Sequence, residues 1–283
     1  MGLAIATPAW DIATNNLPDL VCVRHAEPAT LAERALAELG GMERFVKKGD
    51  SVLLKPNIGW DRAPEQGANT NPDLVGAVVR MCFAAGANKV RVLDRTCNEP
   101  RRCYRNSGIE AAAKANGAEV RHVVESRFKD MAFPEGVKIK SWPVYKDVFD
   151  FDVLINIPVA KDHTVCRYSL GMKNLMGLLG GDRGQLHLDF DTTIVDINTG
   201  IVPALTIIDA YRVLVRNGPT GGNPADVELK KTLVVSTDRV AADAYATTLF
   251  GAVPFELEYI VNATQRGLGI ADLDKLNIRE IAL

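Results

Sequence analysis

The sequence predicts an α/β protein in which a mainly parallel sheet, or sheets, is flanked by helices. Three observations carry this. Short apolar runs such as Ser51-Val-Leu-Leu-Lys55 and Asp152-Val-Leu-Ile-Asn-Ile157 lack the polar alternation of half-solvated strands, which marks strands buried on both faces. Segments with apolar residues at helical spacing lie between them. Glycine or proline punctuates the junctions, as at Gly40-Gly41, Gly86, Gly117 and Pro158. Strands and helices in alternation build parallel sheet through helical crossovers.

Taken in order, Pro18–Arg24 reads as the first strand and Thr30–Leu39 as a helix closed by Gly40-Gly41. Lys48-Gly49-Asp50 turns into the strand Ser51–Lys55, which Pro56 halts, and a polar loop follows over Asn57–Thr70. Asn71-Pro72 begins a helix, with asparagine as cap and proline at the first helical position. Leu74, Val75, Val78, Val79 and Cys82 share one face of it, and Gly86 ends it. Lys89–Asp94 is a strand, Arg95–Arg102 a loop, Ser107–Asn116 a helix and Ala118–Val124 a strand. Phe133-Pro134 and Trp142-Pro143 break residues 125–150 into a short hairpin or excursion. Beyond it come the strand Asp152–Ile157, helical Thr192–Asn198, and the strand Pro203–Ile208 closing on Asp209. A glycine-rich loop, Gly218–Pro224, precedes the strand Thr232–Ser236 and the helix Arg239–Leu249 with Asp238 as cap. Amphipathic pieces at Phe255–Arg266 and Leu273–Leu276 finish the chain.

The 283 residues suit a single domain over 18–283, with the irregular region offering a division into lobes of 18–125 and 150–283 and a cleft between them. A net charge of −2 without a basic run argues against a nucleic-acid surface. No apolar run reaches the roughly 20 residues of a membrane span. The small, apolar stretch Gly2–Ala9 has no basic residue before it, so residues 1–17 read either as a disordered start or as the remnant of an export signal. These two readings place the protein in the cytoplasm or the periplasm. The five cysteines form no C-x-x-C pair, so no iron–sulfur cluster or zinc ribbon follows from their spacing.

Chemistry-bearing residues concentrate in Asn156–His187. Lys161, His163, Lys173, Asn174 and His187 lie there among Gly171, Gly177, Gly180, Gly181 and Gly184. Loops after the carboxyl ends of parallel strands are where such sheets bind ligands. Other strand ends offer Lys55, Asn57, Asp94 and Asp209 to the same edge, although Asp94 and Asp238 also fit plain structural roles. Lys161 and His163 are two apart, on one side of an extended segment, and a neighbouring cation keeps an imidazole neutral. Lys173, in apolar surroundings, suits an anion clamp or a nucleophile. His187 with Asp189 and Asp191 offers a loop that could ligate a metal, although the pattern has little specificity. No P-loop, dinucleotide-binding glycine pattern or nucleophile elbow is present.

These motifs resemble those of the domain of unknown function 362 family: Leu54-Lys-Pro-Asn57, Ile155-Asn-Ile-Pro158, Lys161-x-His163, Lys173-Asn174-x-x-Gly177 and His187. Asp209, Gly218-Pro219, Ser236-x-Asp238 and Asp243 continue the likeness, which runs from about residue 50 to 251. Members often carry an iron–sulfur segment, and some carry export signals; this chain lacks cluster spacing, so that cofactor would belong to a separate partner. A second similarity, in residue order, is to nickel-pincer lactate racemases. It would make Lys173 the cofactor-attaching lysine, His187 a metal ligand and His163 a proton-transfer group.

The expectation is an enzyme of redox or proton-transfer type acting on a small anionic substrate in the cleft. Lys161, His163 and Lys173 form its catalytic set, Lys55, Asn57, Asn174 and Asp209 bind the ligand, and His187 is the metal ligand. The metal is left open between iron, nickel and none. The alternatives are a non-catalytic ligand- or metal-binding protein serving a redox partner, and a racemase-like enzyme with a lysine-attached nickel cofactor.

Overall fold

The computed structural model describes residues 17–283; the apolar start read as a signal remnant lies outside them. Its strands are β1 (Leu20–Arg24), β2 (Ser51–Pro56), β3 (Lys89–Val92), β4 (Glu119–Val120), β5 (Phe128–Ala132), β6 (Ser141–Tyr145), β7 (Val153–Ile157), β8 (Val159–His163), β9 (Arg167–Ser169), β10 (Leu205–Leu214), β11 (Val227–Ser236) and β12 (Ile278–Ala282). The α-helices are α1 (Pro28–Glu38), α2 (Pro72–Ala84), α3 (Pro100–Asn106), α4 (Ile109–Ala115), α5 (Asp147–Asp150), α6 (Gly171–Asn174), α7 (Phe190–Gly200), α8 (Arg239–Thr248) and α9 (Glu258–Gln265).

The main sheet runs in the order β12-β1-β11-β10-β7-β2-β3-β4, with β8 joined to β10 and β9 joined to β8. Ladders β12–β1, β10–β7, β10–β8, β7–β2, β2–β3 and β3–β4 are parallel, while β1–β11, β11–β10 and β8–β9 are antiparallel. This is the mainly parallel, helix-flanked sheet predicted. Stretches on both sides of residues 125–150 supply neighbouring strands of it, since β2 pairs with β7 and β1 with β11. Residues 125–150 themselves hold the expected hairpin, β5 against β6.

Alternation along each strand divides the core. Val52 and Leu54 of β2 and Ile155 and Ile157 of β7 pack with α1 and α2 through Leu31, Leu36, Leu74 and Val78. Leu53 points the other way, into a cluster with Met172, Ile194 and Ile260. Lys55 and Asn156 continue this second face, in register with each other. That one-residue parity decides where the site lies.

Several boundaries differ from expectation, each for a local reason. Glu99 caps a helix inside the supposed loop, accepting from the backbone N–H of Arg101 and Arg102, and Pro100 fits its first position. The strand expected over Ala118–Val124 shortens to Glu119–Val120 at the sheet edge. Pro158 interrupts the ladder, as a residue without N–H must, but pairing resumes at once in β8. Asp209 does not close its strand: β10 continues to Leu214, with an irregularity against β11 between Ala210 and Arg212. The caps Asn71 and Asp238 form as predicted.

Candidate active site

The site grows from the carboxyl ends of β2, β3 and β7. Lys55 Nζ forms an ion pair with Asp94 Oδ1 at 2.8 Å, both side chains being buried. The same ammonium donates to Asn174 Oδ1 and to the Pro56 carbonyl, each at 3.0 Å. Burial lowers the Lys55 pKa and the Asp94 carboxylate opposes that shift. Asn174 is locked in turn: its Nδ2 donates to the Lys55 carbonyl at 3.0 Å and to Asn156 Oδ1 at 2.9 Å. Asn57 Nδ2 adds a third contact to Asn174, at 3.1 Å. Gly177 covers the ion pair so closely that an added Cβ would lie 1.8 Å from Asp94 Oδ1 and 2.5 Å from Lys55 Nζ.

The short helix α6, which carries Lys173 and Asn174, is tied down from α8. Asp243 accepts from the N–H of Gly171 at 2.6 Å and of Met172 at 3.0 Å. Tyr259 Oη donates to the same carboxyl at 3.1 Å. Burial pushes Asp243 up to about 7.

Lys161 and Lys173 differ from Lys55 in having no carboxylate partner among the described residues. Lys161 is only 1% exposed, and its Nζ donates to Asn57 Oδ1 at 3.2 Å and to the Ala68 carbonyl. Burial, reinforced by the charge of Lys173, brings the Lys161 pKa down to about 7. Lys173 Nζ lies 4.0 Å from Met176 Sδ and 5.9 Å from the centre of the Phe190 ring, and burial lowers its pKa too.

His163 ends β8 at the tip of the β8–β9 hairpin. Its Nδ1 accepts from the N–H of Val165 at 3.1 Å and of Cys166 at 3.3 Å, which leaves the proton of the neutral ring on Nε2. Burial, then the charges of Lys173, His187 and Lys161, hold its pKa down near 3. The His187 ring stacks on it with centroids 5.8 Å apart and 17° between planes. His187 Nδ1 faces the Arg183 carbonyl at 3.3 Å, and because a carbonyl only accepts, the proton of this ring sits on Nδ1. Burial and Lys173 lower the His187 pKa as well. Ligand atoms of His163, Cys166 and His187 all lie within 4.8 Å of one another.

Lys55, Asn57, Lys161, His163, Lys173, Asn174 and His187 line one open cleft of about 530 Å³. Asp209 is not among its lining residues. The continued strand β10 turns its carboxylate away, to accept from Asn71 N–H at 2.7 Å and Tyr211 N–H at 2.9 Å. Burial raises its pKa to about 6. Trp60, Cys97 and Arg183 also line the cleft, and Cys166 lies beside His163 and His187, none of them expected from the sequence. Arg183 donates to the carbonyls of Arg95 at 2.9 Å and Thr96 at 3.1 Å, stapling the glycine run to the loop after β3. The signal for Arg183 lay inside Gly180–Gly184; Cys166 stands three residues after His163 and was passed over because it has no second cysteine at metal spacing.

Comparison with known proteins gives this site a family. The model described as "Domain of unknown function (DUF362)" matches residues 52–248. The chain belongs to the DUF362 family. All of the residues named in the cleft fall within the matched DUF362 region. A curated relative is the thylakoid-associated protein of Synechocystis sp., 29% identical over 243 residues, covering 83% of this chain and 73% of that one. A protein of known crystal structure from Thermotoga maritima matches with a TM-score of 0.50 at 12% identity, over 80% of this chain and 59% of the other. The lactate racemase apoprotein of Thermoanaerobacterium thermosaccharolyticum matches with a TM-score of 0.45 at 10% identity, over 81% of this chain and 57% of the other. The chain thus spans less than two thirds of the length of these two solved chains. The first of these likenesses supports the α/β fold alone, and the second carries no argument.

Proposed function

We propose that the protein is an enzyme that binds a small anionic substrate against Lys161 and Lys173 and moves a proton at the His163 end of the cleft. One observation carries the reading: buried Lys161 and half-buried Lys173, neither with a carboxylate partner among the described residues, line the same cleft as a neutral histidine. A buried ammonium without a counter-charge is costly, and an anion entering the cleft supplies that charge. Lys55 is already neutralised by Asp94 and acts as a fixed scaffold for Asn174 and Asn57. Proton transfer is favoured over electron transfer because the imidazoles are held neutral, the form from which a ring can donate at one nitrogen or accept at the other.

The test is carbon–hydrogen exchange. Small 2-hydroxy, 2-oxo and dicarboxylic acids are incubated with the protein in deuterated water and followed by proton NMR. Loss of a carbon-bound proton signal with the parent protein, reduced at least about a hundredfold in His163→Gln, is the expected result. Exchange in His163→Gln at the parent rate contradicts the assignment.

A further inference from the structure

We infer that His163, Cys166 and His187 form a binding site for a divalent transition-metal ion of the zinc class, with the two histidines lining this cleft and Cys166 beside them outside its lining. The inference rests on the cleft reading above and adds to it a ligand set with a residue that the sequence did not single out. Two imidazole nitrogens and one sulfur converge within 4.8 Å. A tetrahedral ion with bonds of about 2.0–2.1 Å to nitrogen and about 2.3 Å to sulfur needs donors roughly 3.3–3.7 Å apart. The widest donor pair therefore has to close by up to about 1.5 Å, a movement on the scale of side-chain rotation. The donor set itself selects the ion: thiolate with imidazole suits zinc, cobalt or nickel, while magnesium and calcium require oxygen.

Two features of the surroundings agree. His187 presents Nδ1 to the Arg183 carbonyl, the second contact that metal-bound histidines commonly make, and this leaves Nε2 with a free lone pair. His163 and Cys166 bracket the tight turn between β8 and β9, so the chain itself keeps both donors on one side of a hairpin. The Nδ1 contacts of His163, at 3.1 and 3.3 Å to two N–H groups, are long and shared, and a metal–nitrogen bond replaces them with a small turn of the ring. Binding releases the Cys166 thiol proton to solvent, leaving a thiolate that halves the charge of the ion. Lys173, which lines the same cleft as His163 and His187, then holds the substrate anion near the metal.

Three protein ligands leave a fourth position open, and a water there becomes acidic enough to exchange protons near neutral pH. With an ion bound, His163, Cys166 and His187 would hold it and the ion would supply an acidic water; direct proton transfer by the His163 ring, as proposed above, would then belong to the metal-free protein. The His163→Gln variant cannot separate these two roles. Cys166→Ser can, because it weakens the metal site and keeps the imidazole.

The experiment titrates Co²⁺ into the purified, chelator-treated full chain. One ion per chain is expected, with the visible bands of a tetrahedral ion and a near-ultraviolet thiolate-to-cobalt band; added Zn²⁺ should displace it. Cys166→Ser should lose the thiolate band and bind at least about tenfold more weakly, and His187→Gln should also weaken binding about tenfold or more. Cys97→Ser, which removes the exposed thiol of the same cleft, should leave the spectrum as in the parent. No cobalt binding, an octahedral spectrum without the thiolate band, or a band lost with Cys97 instead of Cys166 overturns the inference. Titration of the same samples with inorganic phosphate keeps the two readings apart. Phosphate binding that depends on Lys161 in a protein that takes no cobalt sinks the metal site alone.

Discussion

At the scale of single residues, the site is decided by which lysines have partners. Lys55 and Lys161 are equally buried, at 1% exposure, yet only Lys55 has a carboxylate. Replacing Asp94 by Asn removes that partner and leaves a buried ammonium uncompensated, so Asp94→Asn should destabilise the fold by about 3–5 kcal/mol in denaturant titration. A loss below about 1 kcal/mol would show that the pair does not hold the scaffold together. Gly177 is the second decisive residue, since any Cβ there collides with both members of the pair. Gly177→Ala should lower stability by roughly 1–3 kcal/mol and displace Asn174; an unchanged thermal midpoint would contradict this. Lys161, His163, Lys173 and His187 were legible as candidates because charged and ring-nitrogen groups stood out in a glycine-rich segment. Cys166 was not, because a single cysteine in a sequence looks like a buried apolar residue, which it also is, and only the fold brings the imidazole of distant His187 close to it and to His163.

At the scale of elements, the four-residue helix α6 places Lys173 and Asn174, and it is too short to hold itself. Asp243 of α8 does that work by receiving its first two N–H groups, with Tyr259 bound to the same carboxyl and Asp238 the nearby like charge. Its pKa is raised from the ordinary carboxylate value to about 7. The folded state therefore holds a proton that the unfolded chain has lost, and this contribution to stability falls as pH rises from about 4 to about 7. Asp243→Asn should flatten the slope of unfolding free energy against pH across that interval; an identical slope would remove Asp243 from the account. The elements most readable in sequence were those with strong punctuation, such as α2 between Asn71-Pro72 and Gly86. The edge strand β12 was not readable, because Ile278-Arg-Glu-Ile-Ala282 is half exposed and gains its identity from pairing with β1. Asp209 was misplaced for a related reason: nothing local ends β10 there, and its carboxylate serves the cap region of α2 instead of the cleft.

At the scale of the whole molecule, one mainly parallel sheet gathers distant segments at a single edge. Lys55, Asp94 and Asn156 are far apart in sequence and adjacent only because β2, β3 and β7 run the same way. The class of fold followed from strand and helix alternation, whereas the strand order that brings β7 beside β2 depends on tertiary packing and had no local signature. The central claim is that this edge holds a small anion between Lys161 and Lys173. Calorimetric titration with inorganic phosphate and with small dicarboxylates, on the parent, Lys161→Gln and Lys173→Gln proteins, tests it most directly. One saturable site per chain is expected, weakened at least about tenfold by either substitution through loss of a charged hydrogen-bond donor. Binding that is absent in the parent, or equal in all three proteins, would contradict it.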